Sequence, residues 1–143
     1  MFDSVVVATD GSESVQRAVH VALDLADRFD AAVYALYVVD ASEVESSPES
    51  VRDELRDALE ADGEDALSTV EALASADDVT TAVREGRPAA EITGYAREVD
   101  ADLVATGTRG RHGENRFLVG SVAERVVRTC DRPVLTVRQL QEE

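Results

Sequence analysis

Lysine is missing from this sequence; all 14 basic side chains are arginine. A G-x4-G-K-[ST] phosphate loop is therefore impossible, because nothing can supply its lysine. Aromatic residues are scarce at 4%, so the 44% apolar content comes mainly from Val, Ala and Leu. Small branched side chains of that kind suit a buried parallel sheet covered by helices. One cysteine, Cys130, excludes an intrachain disulfide, and no Cys/His cluster offers a zinc site. Cys130 ends an apolar helical stripe, where it serves as a small buried hydrophobe. No run of about 18 apolar residues occurs, which excludes a membrane-spanning helix. The opening MFDSVVVATDG has no basic leader and reaches Asp10 too soon for a signal peptide, so a cytoplasmic protein is expected. Neither an H-x-G-H nor an S-G-G-x-D-S motif is present, and no second carboxylate pairs with Asp10 for acid–base work.

Acid is plentiful instead. Thirty carboxylates give a formal charge of −16, and they are spread over helix faces rather than gathered in a tail. An acidic surface without lysine looks like adaptation to a very saline cytosol, as in an extreme halophile. It also repels DNA, RNA and anionic membranes, so no nucleic-acid or membrane partner is expected.

Residues 1–143 are expected to form one domain. Periodicity predicts strands at 4–8 and 31–39, a polar third strand at an edge over 78–86, a fourth at 102–107 and a last, PVLTV, at 133–137. Between them come a helix carrying Val15, Ala18, Val19, Ala22, Ala26 and Phe29, and a loop from Asp40 to Ser50. A long helix from Val51 to Ala74 follows, then one opened by Pro88 and one near 121–130. Strict β-α alternation implies an α/β fold: an open five-stranded parallel sheet with helices on both faces. The expected strand order is 3-2-1-4-5. Ligands of such sheets sit beyond the strand C-termini where the order reverses. Two unusual loops then face one crevice, Asp10-Gly11-Ser12 after the first strand and Gly107 to Ser121 after the fourth.

In the second loop the spacing is Gly107-x2-Gly110-x9-Gly120-Ser121. Glycine lets backbone N–H groups approach a ligand, and the N-terminus of the last helix favours an anion. The same residues could equally be plain turn glycines with Ser121 as an N-cap. Asp10 likewise admits a ligand contact or a capping box, since Asp10-Gly11-Ser12-Glu13 has the D-x-x-E form. Arg109, Arg111 and Arg116 could grip phosphate or simply offset the surrounding acid. From Ala105 to Arg138 arginines outnumber acids seven to three, opposite in sign to the whole chain. His112 is taken as a solvated loop residue, and His20 lies on the polar face of the first helix.

The glycine spacing resembles the nucleotide-binding signature of the universal stress protein family. VVVATDGSE (5–13), LYVVD (36–40), EGRPAAEITGYAREVDADLVATGTRG (85–110) and GSVAERVVRTCDRPVLTVR (120–138) are similar to further blocks of that family. Only about Asp40 to Asp77 stands apart. The resemblance implies a Rossmann-like fold of the adenine nucleotide alpha hydrolase type that holds ATP. Gly107, Gly110, Gly120, Ser121 and Val122 would then contact ribose and phosphates. Asp10 would lie near the ribose, the adenine or a phosphate-bound Mg2+ or Mn2+, with Ala8 on the same wall and the Val38 backbone at the adenine edge. A stress-response sensor or regulator is the function implied. The alternatives are slow ATP hydrolysis or nucleotidyl transfer, and a dimeric interaction module that needs no nucleotide. Homodimers through the strand Pro133–Val137 are also implied, which would cover an exposed edge.

Overall fold

The computed structural model describes residues 2–74, 79–108 and 120–140. Five strands, β1 (Ser4–Ala8), β2 (Ala32–Asp40), β3 (Val79–Gly86), β4 (Leu103–Gly107) and β5 (Val134–Val137), pair in parallel in the order β3-β2-β1-β4-β5. The helices are α1 (Gln16–Phe29), α2 (Ala41–Glu45), α3 (Arg52–Leu73), α4 (Pro88–Glu98) and α5 (Ser121–Thr129). Short 3-10 turns at Glu13–Val15 and Glu49–Val51 lead into α1 and α3.

β1 is apolar without alternation because both of its faces are covered. Val5 and Val7 face a core built with Val19, Ala22 and Ala26 of α1 and Leu59, Leu67 and Val70 of α3. Val6 and Ala8 face the opposite core, with Ile92, Tyr95 and Ala96 of α4 and Val126 of α5. Helices therefore cover both faces, and the polar β3 lies at an edge, as its sequence implied. Cys130 is half-buried against the second core.

Three local expectations needed correction. The stretch from Asp40 to Ser50 is not all loop, for it contains α2, whose Val44 is 2% exposed. A five-residue helix is too short to show a period; its start is fixed by Asp40, which accepts the Ser42 N–H. Val51 and Phe29 leave their apolar stripes and stand 40% and 52% exposed. Phe29 meets Phe2 edge-on, with ring centroids 5.3 Å apart. The chain leaves α1 and α4 through an aspartate in the left-handed region, Asp30 at the C-cap of α1 with φ 53° and Asp100 just past the Val99 cap of α4 with φ 52°. The following alanine N–H then reaches back to Ala26 O or Ala96 O, at 2.8 Å each.

Candidate functional site

The strand order reverses between β1 and β4, and the chain leaves both strands there in tight turns. After β1, Thr9 N–H extends the ladder to Leu36 O at 2.9 Å. Thr9 Oγ1 accepts the Gly11 N–H at 3.1 Å, while Asp10 Oδ1 accepts Ser12 N–H at 2.9 Å and Ser12 Oγ–H at 2.6 Å. Gly11 completes the turn at φ 77°, where a side chain would be strained. Asp10 therefore closes an Asx turn and is not half of a capping box. Ser12 holds the N-cap position and makes no side-chain cap bond.

β2 runs on past the end of β1, and this overhang leaves the Val38 edge without a strand partner among the described residues. Ala8 pairs opposite Leu36, and Leu36 O is used by Thr9. By the two-residue alternation of a strand, the Val38 N–H and C=O point to the same side. There the chain has already turned away, with the Gly11 N–H committed to Thr9 Oγ1. On its other edge Val38 lies opposite Arg84 of β3, and its side chain packs on the second core. Ala8, 8% exposed, belongs to that same core.

After β4, Gly107 is buried and paired with Val137. Thr106 Oγ–H donates to Gly107 O at 3.2 Å, and Thr108 N–H to Val137 O at 3.2 Å. The Gly120 N–H donates to Thr108 O, so the start of α5 is fastened to the end of β4. The N-cap of α5 is Gly120, at φ −64° and ψ 158°; Ser121 is the first helical residue. A glycine cap brings no side-chain oxygen to the first-turn N–H groups, among them those of Ser121 and Val122. Those two residues are exposed. Gly110, together with Arg109, Arg111, His112 and Arg116, lies outside the described residues.

Asp10, Gly107, Gly120 and the Val38 edge thus meet at one end of the sheet, though they come from distant segments. Sequence reasoning missed the supporting residues Thr9, Ser12 and Thr106, and also a second turn beside the first. Asp40 Oδ1 accepts Ser42 N–H at 3.0 Å and Ser42 Oγ–H at 2.7 Å, repeating the Asp10–Ser12 pattern at the end of the neighbouring strand. The signal was present as D-x-S at 10–12 and again at 40–42.

Most of the described arginines are engaged away from this end or along its rim. Arg56 donates to Glu85 at 2.7 Å, Arg84 to Glu98 at 2.9 Å, and Arg132 bridges Asp100 and Asp131. These bonds raise the guanidinium values further, the hydrogen bond to the carboxylate being the main cause in each case. Among the described residues no group of three or more His, Cys, Asp or Glu side chains could hold a metal. No described helix is long and apolar enough to cross a membrane.

Fold and local geometry together define a class: open parallel α/β proteins whose strand order reverses between β1 and β4, with the Val38 strand edge and the N-terminus of α5 at that end of the sheet. The sequence pattern of the universal stress protein family matches residues 1–138, and the chain belongs to that family. A universal stress protein of Methanocaldococcus jannaschii is 39% identical over 100% of this chain and 86% of its own length. A solved protein whose biochemical function was assigned from its structure superposes with a TM-score of 0.86, at 25% identity and 99% coverage of both chains. A universal stress protein solved in complex with cAMP gives a TM-score of 0.69 at 27% identity, covering 97% of this chain and 98% of the other.

Proposed function

We propose that this protein binds an adenine nucleotide, ATP, in the crevice between the Asp10 turn and the start of α5, and acts as a nucleotide-dependent regulator of a stress response. The observation that carries this is the open backbone edge of Val38 beside the Asp10 turn. A strand edge with one N–H and one C=O suits the donor–acceptor edge of a purine. The glycine-capped N-terminus of α5 supplies N–H groups and a partial positive charge for phosphate. A structural relative solved with cAMP, itself an adenine nucleotide, supports the choice of base. Mg2+ or Mn2+ would arrive with the phosphates and meet the Asp10 carboxylate, since the described residues hold no metal cluster of their own. Phosphate held between Gly107 and Gly120 would act at both ends of the segment carrying Arg109, Arg111 and Arg116, and so alter the surface shown to a partner. The acid-rich, lysine-free surface fits work in a saline cytosol.

Calorimetric titration with ATP at molar salt tests this, comparing the unaltered protein with Gly120→Val. The φ of −64° at Gly120 accepts valine without strain, so the variant should keep its circular dichroism spectrum while losing ATP affinity. Absence of binding by the unaltered protein, or unchanged affinity in the folded variant, would refute the proposal.

A further inference from the structure

α3 reaches the crevice through two small residues less than one turn apart. A Cβ added at Gly63 would lie 2.6 Å from Tyr37 Cδ1, so this part of the helix lies directly on the Tyr37 ring. Tyr37 is 2% exposed and immediately precedes Val38 in β2. Three residues later Ala66, 8% exposed, has its Cβ 3.2 Å from the position of a Cβ built on Gly11. Gly11 is the centre of the turn that aims Asp10. Residues three apart share a helix face. One face of α3 therefore braces both the strand end that carries Val38 and the turn that carries Asp10.

We infer that Ala66 is a positioning residue for the nucleotide crevice: its methyl group sets the distance between the Asp10 turn and the Val38 edge, and α3 thereby senses whether the crevice is occupied. This rests on the adenine-nucleotide proposal above. Ala66 touches no ligand itself. A larger side chain at this position must push either the helix or the turn, because Ala66 is buried and Gly11 lies against it. The turn is the softer of the two, since α3 is held along its length by Leu59, Leu67 and Val70 in the core. A turn displaced by a fraction of an ångström no longer presents Asp10 and Val38 in register. Coupling of this kind is reciprocal, so a bound nucleotide must stiffen α3 in turn.

The test compares Ala66→Val with Ala58→Val, an exposed position on the same helix that shares valine's lower helix propensity. ATP affinity is measured by calorimetry at temperatures where circular dichroism shows each variant folded. Ala66→Val should bind about tenfold more weakly than the unaltered protein, and Ala58→Val should bind as the unaltered protein does. A purely structural role would lower the melting temperature and leave the affinity of the folded protein unchanged. That result would overturn the inference. Should Ala66→Val fail to fold, amide hydrogen exchange of the unaltered protein decides. ATP must slow exchange in residues 59–70, and unchanged exchange there with ATP bound overturns the coupling. ATP that fails to bind the unaltered protein would sink the functional proposal along with this one, whereas binding that ignores Ala66→Val sinks this one alone.

Discussion

Gly63→Ala should destabilise the protein even though it improves the helix. In a solvated helix interior this change gains about 1 kcal/mol, because alanine loses less backbone entropy. At Gly63 the new methyl carbon would stand 2.6 Å from Tyr37 Cδ1, 2.9 Å from Cγ and 3.0 Å from Cε1. Carbon atoms pack comfortably at about 3.5–4.0 Å, so the overlap is close to 1 Å. Tyr37 is 2% exposed, and turning the ring about its Cβ–Cγ bond leaves Cγ where it is, so a ring flip does not relieve the contact. Overpacking of a tight core costs about 1–3 kcal/mol, and an overlap this severe belongs at the upper end. Subtracting the propensity gain leaves a net loss of about 2 kcal/mol, or roughly 6 °C in melting temperature for a chain of this size. Gly94 in α4 supplies the opposite case, since a Cβ there meets nothing within 4 Å. Gly94→Ala should raise stability by about 0.5–1 kcal/mol. Urea and thermal melts at molar salt, followed by circular dichroism, read both variants. A Gly63→Ala midpoint that rises like that of Gly94→Ala would refute the reasoning.

Two surface pairs contribute to the acid response. Hydrogen bonds from Arg84 to Glu98 and from Arg132 to Asp131 hold both carboxyls below their ordinary values. The unfolded chain then takes up protons first, so this contribution is complete above about pH 5 and fades as the pH falls through the lowered folded values. Glu98→Gln should accordingly lower the urea midpoint at neutral pH, and its gap from the unaltered protein should close in acid; a gap that persists at every pH counts against the pairing. We also propose a homodimer through β5, an edge strand whose Pro133 and Val137 carbonyls accept from β4, so that by alternation the Val134 and Thr136 N–H groups point outward. Thr136→Pro removes one outward N–H without touching the β4 ladder, and light scattering should then report a monomer where the unaltered protein is a dimer. Equal mass for the two would exclude β5 as the interface.

Hydrophobic periodicity carried most of the architecture. The uninterrupted Val5-Val6-Val7 run suited a buried strand, and the polarity of the 78–86 stretch pointed to an edge. Strict alternation of strands with longer amphipathic runs then left a parallel sheet. α2 escaped because five residues make too little of a turn for any period to register, and Phe29 misled because one aromatic at helical spacing does not reveal what covers it. The glycine and aspartate motifs marked which loops were unusual, but not what their atoms would do. Asp10 illustrates the difference. Its spacing to Glu13 fitted a capping box, yet the carboxylate binds Ser12, because the chain turns at Gly11 before the helix begins.

The sequence by itself determined the alternation of strands with the longer helices, the layered class of fold, the acid-rich composition and which two loops were unusual. Local patterns suffice for these because burial on one face or both leaves its period in the chain. Only the tertiary structure decided that β2 overruns β1, which opens the Val38 edge. It alone showed that Gly120 rather than Ser121 caps α5, and that Ala66 of α3 stands against Gly11. Each of these depends on how far apart two segments come to rest, and that distance is set by the packing of side chains remote in sequence, which no local pattern records.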